Sequence, residues 1–200
     1  MKIAIVGCGY VGYQIARYWS KELSFSVTAT TTTPERVTAL EAVAEKVVVV
    51  RGNDPDGLKS VLRDRDILLL SVAAKNASVY KEAYLDTAQT LVSVLPETPN
   101  IKQVIYTGTY SVYGDKNGEL VDETSPVTPA NQNGEILAQT EEVLRSASTE
   151  NTKVCILRLG GIYGLGRELI KIFGRVAGTT RPGNGKDITN WIHLDDIVAA

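Results

Sequence analysis

A chain of 200 residues with 44% hydrophobic and 22% charged residues is long enough for one well-cored domain and too apolar to be disordered. Its formal net charge of −2, with no basic block or acidic tail, excludes general attraction to nucleic acid or to an anionic membrane. The apolar stretch after Met1-Lys2 is too short for a signal peptide, and no segment approaches the ~18 apolar residues of a membrane span. The chain therefore reads as cytoplasmic. The two cysteines, Cys8 and Cys155, lack the spacing of a metal site or a disulfide framework, and no metal is expected. Both read as small buried or half-buried residues, with a reactive thiol at Cys8 as the alternative.

Short β-branched runs alternate with segments of helical periodicity. Residues 3–6 read as a buried strand, followed by a helix over 11–21 with Val11, Ile15 and Tyr18 at three- and four-residue spacing. A second strand covers 24–30, and Pro34-Glu35 begins a helix with Val37, Leu40 and Ala44 on one face. Residues 47–50, all valine, predict a strand covered on both faces. A short helix over 58–62 and a strand over 67–72 follow, then a long helix over 78–95 and a strand over 104–107. Residues 114–128 form a polar loop, residues 133–147 a helix and residues 154–157 a sixth strand. This alternation predicts an α/β Rossmann fold, a doubly wound parallel sheet with helices on both faces, over residues 1–163.

From residue 164 the pattern changes, with glycines at 164, 166, 174, 178, 183 and 185 and no long periodic segment. Residues 164–200 read as the start of a small C-terminal substrate lobe. The final helix, beginning near Asp195-Asp196, is expected to have an apolar face without a partner.

Gly7-Cys8-Gly9-Tyr10-Val11-Gly12 lies directly after the first strand and opens a helix, the context in which Gly-x-Gly-x-x-Gly binds a dinucleotide. Gly7 permits the tight turn, Gly9 lets the backbone approach the pyrophosphate, and Gly12 lets helix and strand pack closely. The phosphates are expected on the free N–H groups at the start of the helix, around Tyr10 and Val11. NAD sites place an acid at the end of the second strand, about 20 residues on. Here Thr30-Thr31-Thr32-Thr33 stands instead, with no acid before Glu35. The hydroxyls of Thr31 and Thr32, with Arg36, suit a 2′-phosphate, which favours NADP over NAD. Arg36 reads equally as a solvated residue of a first helical turn.

With these residues placed, the chain resembles an atypical extended short-chain dehydrogenase/reductase of the NAD-dependent epimerase/dehydratase type. The resemblance rests on the glycine loop, Ser71-Val72-Ala73-Ala74, Val112-Tyr113-Gly114, Asp122-Glu123-Thr124-Ser125-Pro126, Arg158 through Tyr163-Gly164, and His193-Leu194-Asp195-Asp196. It implies that Ala73, Ala74 and Thr107 line the cofactor and that Asp54 or Asn53 reaches the adenine amine; a turn-forming Asn-Asp-Pro is the other reading of residues 53–55. It further implies a small-molecule substrate such as a nucleotide sugar, and a homodimer through the helices at 78–95 and 133–147.

In that family a Ser or Thr, a Tyr, and a Lys four residues after the Tyr carry the chemistry. Thr109 matches the hydroxyl position. The Tyr-Gly-x-x-Lys segment falls on Asn133-Gly134-Glu135-Ile136-Leu137, so Asn133 stands for the Tyr and Leu137 for the Lys. An amide does not exchange a proton near neutrality, and leucine supplies no charge to lower a phenol's pKa. Tyr110, beside Thr109, is the candidate substitute acid, with a packed or surface aromatic as the alternative. His193 and Tyr163 match structural positions of the family. Two functions remain open: an NAD(P)-dependent oxidoreductase with a rearranged site, and a catalytically inactive module that senses NADP(H) or holds a partner.

Overall fold

The computed structural model describes residues 1–180, 185–186 and 188–200. Six strands, β1 (Lys2–Val6), β2 (Ser26–Thr31), β3 (Lys46–Val49), β4 (Ile67–Leu70), β5 (Gln103–Thr109) and β6 (Lys153–Leu159), form one sheet in the order β3-β2-β1-β4-β5-β6. Every neighbouring pair is parallel. The helices between them are α1 (Tyr10–Lys21), α2 (Val37–Glu41), α3 (Pro55–Leu62), α4 (Thr87–Val94) and α5 (Gln132–Ser146). The expected doubly wound sheet is the one that forms.

The two-residue period of β1 explains the two covered faces. Ile3 and Ile5 point to one side with Val11 and Ile15 of α1, while Ala4 and Val6 point to the other with Leu58, Leu62, Leu91 and Leu144 of α3, α4 and α5. Full burial of each such aliphatic side chain contributes about 1.5–3 kcal/mol relative to exposure. The chain changes direction of winding between β1 and β4, and the crevice beyond their carboxyl ends is where this fold binds ligands.

Beyond the sheet, β7 (Gly161–Tyr163) pairs in parallel with β8 (Trp191–His193), which leads into α7 (Leu194–Ala199); α6 spans Leu169–Gly174. Gly183, one of the glycines of this stretch, lies outside the described residues. The apolar side of the last helix is not left without a partner: Leu194 and Ile197 are buried in the same cluster as Val11 and Ile15 of α1.

Other departures from the sequence reading have local causes. The valine strand β3 sits at the edge of the sheet, so Val49 is exposed rather than covered. Cys155 is likewise exposed because β6 is the opposite edge, whereas Cys8 is buried as expected. The long helix expected over 78–95 is broken. A π-helical turn at Glu82–Asp86 precedes α4, and the Thr87 hydroxyl donates to the Glu82 carbonyl five residues back, at 3.1 Å. The helix expected after Pro34 is only a 3₁₀ turn (Pro34–Arg36) and the short α2.

Candidate functional site

The glycine loop crosses the carboxyl end of β1. Gly7 has φ +84°, and a Cβ there would lie 2.8 Å from the Ser71 carbonyl oxygen, so only glycine fits. Gly9 is the opposite case: its nearest neighbour to an added Cβ is 3.9 Å away, which leaves the backbone open on the ligand side. The loop is held from below, since Gly7 N–H donates to Thr30 Oγ1 at 3.0 Å and Cys8 N–H to the Thr30 carbonyl at 2.9 Å. α1 begins at Tyr10 with no side-chain cap at Gly9 and no acid in its first turn. The first N–H groups of such a helix, here those of Tyr10, Val11 and Gly12, have no partner within it and form a positive end aimed at the crevice. Backbone open at Gly9, free N–H groups and the lack of a nearby acid fit a pyrophosphate. The Tyr10 side chain turns away from the loop: its hydroxyl donates to the Leu165 carbonyl at 2.9 Å, and the Arg167 guanidinium lies 4.2 Å from its ring centroid. Burial pushes the Cys8 thiol up to about 12, against a smaller opposing effect of the Arg36 charge. Cys8 is thus an inert core residue, and Arg36 is near enough to be felt there.

At the end of β2, Thr31 is buried and folds back on the chain, its Oγ1 accepting from Thr33 N–H at 3.1 Å. Thr32 is exposed and Arg36 partly so. Lys75, in the loop after β4, donates from Nζ to Thr33 Oγ1 at 3.2 Å. Sequence reasoning missed this lysine; its position next to Ala73-Ala74 was the available signal. Asn53 and Asp54 follow β3 and are exposed. Asp54 caps α3, its Oδ1 accepting from Gly57 N–H at 3.0 Å.

At the switch point, Thr107 Oγ1 lies 3.1 Å from the buried Ser71 Oγ, which joins the ends of β4 and β5. Ala73 and Ala74 follow in the loop; the Ala74 backbone meets the phenol of Tyr84, whose ring centroid is 4.7 Å from that of Tyr80. Burial raises the Tyr84 phenol, and the Ala74 backbone and the Tyr80 hydroxyl oppose that rise. Tyr106 lies in the core with its hydroxyl unpaired. Burial above all drives this phenol far above its usual range, with Tyr84 and Glu141 adding to the effect.

Thr109 ends β5, Tyr110 follows it, and Asn133 and Leu137 lie in α5. Thr109 Oγ1 accepts from Ser111 N–H at 3.2 Å and so caps the 3₁₀ turn Tyr110–Tyr113, leaving its hydroxyl proton available. Tyr110 is exposed and faces a cleft of about 960 Å³ shared with Tyr113, Lys116, Arg158 and Asn190. Asn131 caps α5 by accepting from Gly134 N–H, which leaves Asn133 exposed in the first turn and Leu137 buried one turn later. Further along α5 the Glu141 carboxylate, 1% exposed, receives both Nε and Nη2 of Arg158. That guanidinium also lies 4.6 Å over the Tyr113 ring, and the Tyr113 hydroxyl donates to the Asp122 carbonyl at 2.6 Å. His193 Nδ1 accepts from Asp195 N–H and caps α7, a structural position. No group of three or more potential metal ligands occurs among the described residues, and none of the described helices is long and apolar enough to cross a membrane.

Residues 3–200 match the model of the NAD dependent epimerase/dehydratase family. Protein YeeZ of Escherichia coli K12 is 34% identical over 205 residues, an alignment that covers all of this chain and 71% of that protein. Among solved structures, UDP-glucuronic acid 4-epimerase from Bacillus cereus, in complex with UDP-glucuronic acid and NAD, aligns with a TM-score of 0.81 at 20% identity, over 99% of this chain and 71% of that one. dTDP-glucose 4,6-dehydratase from Streptomyces venezuelae, with NAD bound, aligns with a TM-score of 0.80 at 22% identity, over 100% and 70%. At these identities the two structures speak for the fold.

Proposed function

The chain belongs to the NAD-dependent epimerase/dehydratase family, and on that footing we propose that it is an NADP(H)-binding oxidoreductase-type protein with a rearranged reacting end. The observation that carries this reading is the contrast within the glycine loop. Gly7 is sterically locked, while Gly9 is open towards the uncapped start of α1. In this reading the backbone at Gly9, Tyr10 and Val11 holds the pyrophosphate, with Gly12 allowing the close approach of α1 to β1. Thr32 and Arg36 face the adenosine ribose, Asn53 and Asp54 the adenine, and Ala73, Ala74 and Thr107 the length of the cofactor. The absence of an acid before Glu35 favours NADP over NAD, because a carboxylate would repel a 2′-phosphate.

A bound nicotinamide supplies hydride chemistry. What this chain adds at that end is limited. Asn133 is an exposed amide and Leu137 an apolar core side chain, so neither moves a proton nor lowers a neighbour's pKa. Thr109 is placed to orient a substrate oxygen, and Tyr110 is the exposed phenol beside it. The cleft under Tyr110 is the proposed place for a small-molecule substrate, a nucleotide sugar being the class bound by the Bacillus cereus relative. Residues 164–200 belong to this reading as the beginning of a substrate lobe. So does a homodimer through the side-by-side helices α4 and α5.

The burial of Leu137 favours a second reading, a module that binds NADP(H) without turnover. Fluorescence titration with NADPH and NADH, followed by an oxidation assay over sugar nucleotides and carbonyl compounds, tests both. Binding with turnover that is lost in Tyr110→Phe supports the oxidoreductase. Binding without turnover selects the second reading, and no binding of either dinucleotide overturns both.

A further inference from the structure

The turn that ends β2 gathers two cations. Arg36 donates its backbone N–H to the Thr33 carbonyl at 3.0 Å, so its side chain leaves the chain immediately beyond the threonine run. Lys75 reaches the same residue from the other side, with Nζ 3.2 Å from Thr33 Oγ1. Among the described residues neither side chain is in an ion pair. Glu35, the one acid of the turn, is exposed and has no ion-pair partner either.

The strand order gives the bridge its meaning. β2 and β4 flank β1, so a side chain running from the β4 loop to the end of β2 passes across the end of β1, where the glycine loop begins. An ammonium group has three donors, and Lys75 uses one on a neutral hydroxyl. The other two are not used in any hydrogen bond to the described residues. A dianion at this turn would meet a point charge on one side and a planar guanidinium fork on the other.

Building on the cofactor reading above, we infer that Lys75 and Arg36 form a two-sided clamp for a phosphate monoester on the adenosine ribose, and that Lys75 is a specificity-determining residue for NADP(H) over NAD(H). Lys75 enters from a different loop than the residues that normally set this preference at the end of β2. A ribose hydroxyl offers it nothing to neutralise, so its contribution is confined to the phosphorylated cofactor.

The test is calorimetric titration of the wild type, Lys75→Met, Lys75→Arg and Arg36→Ala with NADPH, NADH, 2′,5′-ADP and 5′-ADP. Lys75→Met is expected to weaken NADPH and 2′,5′-ADP on the order of tenfold while NADH and 5′-ADP stay within about twofold. Lys75→Arg should recover most of the loss. Lys75 is exposed, so its two substitutions remove no core packing. Equal loss for both cofactor classes, or no loss for either, overturns the inference while leaving dinucleotide binding intact. Wild type that binds NADPH and NADH equally also overturns it. Wild type that binds neither removes the cofactor reading itself.

Discussion

Gly7 donates its backbone N–H to the hydroxyl of Thr30 at 3.0 Å, and Thr30 is 2% exposed. The loop that shapes the crevice is therefore tied to β2 by one buried side chain. Thr30→Val keeps the shape but removes the acceptor of a part-buried N–H, which costs about 1 kcal/mol. Urea denaturation should show a lower midpoint with an unchanged slope.

The pair between Glu141 and Arg158 is the most deeply buried ion pair among the described residues, at 1% and 9% side-chain exposure. Glu141→Gln leaves the guanidinium without its counter-charge and should destabilise the fold by about 3–5 kcal/mol. Replacing both by apolar residues of similar volume should cost clearly less. Chemical denaturation of the single and double variants separates the two outcomes.

Cys8 and Cys155 should differ sharply in reactivity. The exposed Cys155 reacts with a thiol reagent in the native protein, and Cys8 reacts only on unfolding. A thiol raised from 9.0 to about 12 by burial keeps more protons in the folded than in the unfolded chain between those values. Its contribution to stability is thus complete below pH 9 and is lost as pH rises toward 12. Cys8→Ala should flatten that part of the stability–pH curve.

Tyr106→Phe removes a hydroxyl that has no hydrogen-bond partner in the core. The change should be neutral or stabilising, by up to about 1 kcal/mol. A drop in thermal midpoint would show that this hydroxyl is satisfied after all.

The glycine loop was legible in the sequence because its glycines answer to backbone geometry, and that geometry follows from one strand and one helix in succession. The sheet was legible for the same reason: alternating buried runs and crossover helices leave few topologies. What stayed hidden depended on position across the fold. Val49 and Cys155 have the composition of covered strands, and only the strand order puts them at edges. Leu194 and Ile197 find α1, nearly the whole chain away. Lys75 meets Thr33 because β2 and β4 flank β1, a neighbour relation that no local pattern encodes. Thr109 and Tyr110 could be located by resemblance, but that Thr109 caps a turn while Tyr110 faces a cleft needed coordinates.

The central claim is that a dinucleotide lies on the glycine loop, and Gly9→Val tests it most directly. Gly9 has φ −84° and ψ −143°, and an added Cβ meets nothing closer than 3.9 Å, so valine there strains the backbone without a clash; the variant should still fold, with a modestly lowered thermal midpoint, while filling the place of the pyrophosphate. Titrated with NADPH, the wild type should bind with one-to-one stoichiometry and the folded variant at least about a hundredfold more weakly. Equal binding by the two proteins, or none by the wild type, would contradict the account.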